Sequence, residues 1–169
     1  MLISQVKSLA PSELENWVEE KTKNSFDDNP FCYVITFDKD YLQEWLDDPF
    51  SNQLGKKIQK LWPELPNERI DKIDEGAALT KKEKDFAKEA IFVYLSEDEF
   101  NGVNYMSRQI NCEDGELTAV YHGINNVGGA GWMFHGVFSS QSEFIEILKE
   151  KLTDDERLFR IWINKSNIS

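Results

Sequence analysis

Two histidines, His122 and His135, each stand before a glycine, in Tyr121-His122-Gly123 and Phe134-His135-Gly136. With Cys112 they are the side chains best suited to covalent chemistry, since an imidazole can take a thiol proton and the thiolate is the attacking form. A small hydrolase or transferase using Cys112, His122 or His135 is therefore the enzymatic alternative. It requires at least two of them to converge on one pocket. None of the three has a ligand partner one helical turn away or in a tight cysteine pair, so no metal or cofactor is expected. Gly128-Gly129-Ala130-Gly131 invites comparison with phosphate-cradling loops. It lacks a Lys-Ser or Lys-Thr after it, and residues 132–138 read as strand, so no helix N-terminus would face a phosphate. The neighbouring carboxylates Asp47-Asp48 and Asp154-Asp155 point apart on a helix and suit no two-carboxylate mechanism. No catalytic residue is assigned.

The acids say more. The chain has 169 residues, with 31 acids against 19 bases and a net charge of -12. The acidity is not a tail: residues 1–85 carry 18 acids and 12 bases, the remainder 13 and 7. Across residues 86–148 there are nine acids, and the only bases are Lys88 and Arg108. Glu97-Asp98-Glu99 and Glu113-Asp114-Glu116 fall in expected connections, where side chains reach water and can face a partner. Crowding like charges costs stability unless something basic docks there. Trp132, beside the glycine run, is the aromatic placed to anchor such a contact at an exposed rim. The expected partner-binding residues are Glu97, Asp98, Glu99, Glu113, Asp114, Glu116 and Trp132. Direct nucleic-acid binding is not expected, because a phosphate backbone demands a basic patch.

Spacing outlines the framework around these residues. Ser12 and Glu15 read as a capping box for a helix with Leu14, Trp17 and Val18 on one face. Residues 31–37, aromatic and β-branched, read as a buried strand. Helical faces come next at Tyr41, Leu42, Trp45 and Leu46, and at Leu54, Ile58, Leu61 and Trp62. Thr80 and Glu83 cap a third helix through Phe86, Ala87, Ala90, Ile91 and Tyr94, while residues 91–95 also fit a strand. Residues 103–111 and 116–122 flank Glu113-Asp114-Gly115, a hairpin signature, and residues 132–138 are the next strand. Ser140 with Glu143 opens a helix bearing Phe144, Ile145, Leu148 and Leu152, and residues 157–163 close as a strand. The expected architecture is α+β: one domain over 1–169, with N-terminal helices packed on a mainly antiparallel sheet from the C-terminal half. The opening residues do not read as a signal peptide, and Cys32 and Cys112 are too few for a disulfide framework, so a cytoplasmic location with reduced thiols is expected.

A small, acidic, cytosolic chain of this kind resembles the immunity proteins of bacterial contact-dependent growth inhibition and related polymorphic toxin systems. The features that carry the resemblance are Glu97-Asp98-Glu99-Phe100-Asn101-Gly102, the run Asn125-Asn126-Val127-Gly128-Gly129-Ala130-Gly131-Trp132, and the acidic helix over 142–152. It is a likeness of type over the whole chain. Immunity proteins share no single fold, so it carries no architecture. It implies a cognate toxin, often a basic nuclease domain, bound one-to-one and blocked. Electrostatics points the same way: a nuclease lines its cleft with Lys and Arg, and an inhibitor competes by offering carboxylates there. A DNA mimic shares this logic but needs acids spaced like phosphates along an elongated surface. The acids here are clustered.

Overall fold

A computed structural model describes residues 1–23, 30–98, 101–126 and 129–164, with side chains outside 124–130. The fold is α+β. Five strands, β1 (Cys32–Asp38), β2 (Gly102–Cys112), β3 (Gly115–Asn126), β4 (Gly129–Phe138) and β5 (Arg157–Ile163), lie in the order β4-β3-β2-β1-β5. The chain forms two compact units: Met1–Val34, Val103–Thr153 and Ile161–Ser169 make one, and Ile35–Gly102 with Asp154–Arg160 the other. Strands β1 and β5 each contribute residues to both. No helix among the described residues is long and apolar enough to cross a membrane.

The first unit packs helices on both faces of β2–β3–β4. Side chains alternate along a strand, so successive residues of β3 feed opposite layers. Val120 joins Phe31, Cys32, Val34, Phe144, Ile145 and Leu148 under α7 (Gln141–Leu152), with Tyr105, Phe138 and Ile161 packed against them. Ala119 and Tyr121 face the other way, joining Met106, Ile110 and Val18 under α2 (Pro11–Thr22). Because β3 is covered on both sides, Leu117 through Tyr121 are all buried, and the run reads as continuous rather than alternating. The β2–β3 hairpin forms at the expected place, with Cys112 opposite Gly115 and only Glu113-Asp114 between them. Pairing of β3 with β4 shifts register between Val120 and Tyr121: Tyr121 faces Phe134 while Val120 faces Gly136, leaving His135 as the extra residue of a β-bulge.

The second unit gathers α3 (Lys39–Asp47), α4 (Leu54–Leu61), α5 (Asn67–Asp74) and α6 (Lys81–Ser96). Its interior holds Trp45, Leu54, Ile58, Ile70, Ile73, Ala87, Ile91 and Phe92. Helices α4 and α5 approach closely because Gly55 has no side chain: a Cβ there would sit 2.8 Å from Ile70 Cγ2 and 3.0 Å from its carbonyl oxygen. Lys82 lies over the Trp62 ring at 4.1 Å, and that ring stacks on Phe86.

Some local expectations need revision. Helix α2 starts at Pro11 with Ala10 as its N-cap, so Ser12 lies inside the first turn and caps nothing; proline's fixed φ and missing amide suit the first helical position. Residues 91–95 are helical, since α6 runs unbroken to Ser96. The short α1 (Ile3–Lys7) and α5 were not anticipated. At α7, Ser140 Oγ accepts from Glu143 N–H, but the Glu143 carboxylate turns to the Ser139 amide. The Thr80–Glu83 capping box does form, its two hydrogen bonds measuring 2.9 and 3.2 Å.

Candidate functional site

The acids at the end of α6 are placed against the grain of the helix. Glu97 is its C-cap, the last turn contains no base, and Asp98 N–H donates to Leu95 O at 3.2 Å. A helix C-terminus carries partial negative charge, and carboxylates there are unfavourable by about 0.3–1 kcal/mol each. Both acids border a cleft of about 560 Å³ whose aromatic walls come from Phe37, Tyr41 and Tyr94. Asp38 adds a third carboxylate, with Arg157 Nε at 3.6 Å. Among the described residues, no Lys or Arg lines the cleft. Tyr94 is about half exposed, and its ring also receives Lys57 Nζ at 5.1 Å. Glu99, expected beside these two, lies outside the described residues.

The hairpin acids are occupied locally. Ile3 N–H donates to Asp114 Oδ1 at 2.8 Å, satisfying one of the amides that α1 leaves without a helical partner. Glu113 Oε1 lies 3.0 Å from the Met1 amine, and the Glu113 amide donates to Met1 O. Glu116 is exposed, opposite Asn111. Trp132 does not stand at a free rim: it is half-buried, packed against the Val18, Met106 and Tyr121 layer, and faces Gly123. Eight residues of β3 separate Gly123 from the hairpin end, about 27 Å at ~3.4 Å per residue, so Trp132 does not join those acids.

Pairing narrows the surplus further. Glu89 pairs with Arg160, Glu143 with Lys7 at 3.8 Å and Glu146 with Lys149 at 3.6 Å. Of the two bases in residues 86–148, Arg108 is only 5% exposed and its Nη1 donates to Thr22 O at 3.0 Å. Among the described residues of that stretch, Glu97, Asp114 and Glu116 stand outside ion pairs, and Asp114 is engaged by the Ile3 amide.

The structure brings the two histidines together, which their spacing in the chain does not foretell. Their ring centroids are 5.7 Å apart and nearly perpendicular. Tyr105 meets both rings edge to face, and Phe144 meets His135. Partial burial lowers the His135 pKa below the usual imidazole value, and the nearby charges of His122 and Lys151 lower it further. Cys112 stays apart: seven residues of β2 separate it from Tyr105, the partner of His122, about 24 Å of strand. Cys32 is buried, which pushes its thiol up to about 12 and keeps it protonated. Among the described residues no three His, Cys, Asp or Glu side chains are arranged to hold a metal. Comparison with protein families, curated proteins and solved structures finds no match.

Proposed function

We propose that the chain is an acidic binding protein that neutralises a cognate basic toxin, a nuclease domain, by occluding its active cleft in a one-to-one complex. The observation that carries this reading is the cleft at the end of α6, where Glu97 and Asp98 stand at the negative pole of the helix beside Tyr41 and Tyr94. Carboxylates placed at an electrostatic cost, beside partly exposed aromatic rings, make a receptor for a cationic side chain. An ammonium or guanidinium over a tyrosine face gains about 0.5–2 kcal/mol, and the acids add charge-assisted hydrogen bonds. The hairpin acids rank lower, because Glu113 and Asp114 hold the chain's own N-terminal segment.

The hydrolase or transferase alternative finds no support in the cysteines: Cys112 is distant from both imidazoles, and the Cys32 thiol is held in its unreactive form.

The test first asks whether an exported protein with a basic C-terminal domain is encoded beside this chain, and then mixes that domain with the purified chain. The absence of any such protein counts against the proposal. The Glu97→Lys/Asp98→Lys variant is expected to slow association by at least about tenfold, as rim charges act mainly on the on-rate. Glu116→Lys, at a residue that does not line the cleft, should change it less. A complex that forms at the same rate with both variants, or no complex at all, overturns the proposal.

A further inference from the structure

We infer that His122, His135 and Met133 form a binding site for a soft transition-metal ion, with copper(I) the preferred occupant. The three side chains share one sheet face. Tyr121 and Phe134 point into the α2 layer, so their neighbours on β3 and β4 must point to the α7 side. Met133 is directly opposite His122 in the β3–β4 register. His135 comes two residues later, in the bulge that shifts pairing at Val120/Tyr121, and bulges re-aim a side chain in this way.

The spacing suits a metal. With metal–nitrogen bonds of about 2.0 Å, two imidazoles sharing one ion place their ring centres about 5–6 Å apart. The observed separation is 5.7 Å. The rings now meet at 82°, and turning the exposed His135 about its side-chain torsions aims a nitrogen at the point between them. Met133 is 49% exposed, so its thioether is accessible to an incoming ion. Two neutral imidazoles and a thioether, with no carboxylate among them, favour copper(I) over the harder divalent ions. The rings of Tyr105, Phe138 and Phe144 contact His135 on one side.

The experiment uses the full chain carrying Cys112→Ser, so that a free thiol cannot compete, titrated with copper(I) against a chromophoric copper(I) chelator. One equivalent is expected to leave the chelator. The His122→Gln/His135→Gln variant should hold it at least about tenfold more weakly, and Met133→Ile should remove the sulfur signal from the copper X-ray absorption spectrum. Nuclear magnetic resonance on the Cys112→Ser chain should show copper(I) shifting the two imidazoles and the Met133 methyl, a readout that depends on no further substitution. No copper withdrawn from the chelator, equal affinity in the double histidine variant, or shifts elsewhere in the chain overturns the site.

Discussion

Glu83 shows how much one buried charge can organise. Its side chain is nearly inaccessible, and both carboxylate oxygens receive hydrogen bonds from Arg69 at 2.7 Å. One of them also takes the Thr80 amide, so the carboxylate closes the α6 cap and ties it to α5. The Arg69 hydrogen bonds, and to a lesser degree the Thr80 amide, hold its pKa down at about 2, against 4.5 for an unperturbed glutamate. A depressed folded-state pKa means stability that is complete above pH 4.5 and lost as pH falls from there toward 2. Glu83→Gln leaves the Arg69 guanidinium without its carboxylate partner and should lower stability. Urea unfolding at pH 7 and at pH 3 checks both statements: the variant should be less stable at pH 7, with the gap narrowing at pH 3. A gap independent of pH would show that the charge contributes nothing.

At the scale of elements, the hairpin and the first helix depend on each other. Asp114 accepts from the Ile3 amide, and α1 is too short to persist alone, since isolated helices below ~12–15 residues are marginal in water. Asp114→Ala should therefore leave the sheet intact and free α1, costing about 1 kcal/mol. Hydrogen exchange reads this directly: amides of α1 should lose protection in the variant while those of β3 keep theirs. The same dependence explains what the sequence could and could not disclose. Elements with their own signature were legible, such as the Thr80–Glu83 box, the Glu113-Asp114-Gly115 turn and the final strand at residues 157–163. Helices α1 and α5 were not, because one is fixed by a carboxylate 111 residues away and the other by close approach to Gly55. The site divides likewise. Glu97 and Asp98 stood out as charge, whereas Tyr41 and Tyr94 read as ordinary helix-face apolar residues until the fold set them in one cleft. Pairing of the histidines depends on a β-bulge, and no periodicity announces a bulge.

For the whole molecule the governing quantity is a net charge of -12 and where it is left uncompensated. Ion pairs absorb Asp38, Glu83, Glu89, Glu113, Glu143 and Glu146, so the field that a partner meets comes from fewer carboxylates than the composition suggests. A long-range field of this kind acts on encounter rather than on the docked complex. Steered association reaches about 10⁸–10⁹ M⁻¹s⁻¹ at low salt, against 10⁵–10⁶ for neutral partners. Raising ionic strength from 0.01 to 1 M shortens the Debye length from about 30 Å to 3 Å, which removes attraction at a distance but spares contacts already made. Stopped-flow measurements with the basic partner should thus show an on-rate falling by at least about tenfold over that range, with a much smaller change in the off-rate. The Glu97→Lys/Asp98→Lys variant should flatten the salt dependence, because it reverses two charges at the mouth of the cleft. Asp114→Ala should flatten it less, because it removes one charge rather than reversing two. On-rates that ignore salt would mean that the surplus charge serves solubility alone, and the α6 cleft would then have to bind its partner by shape.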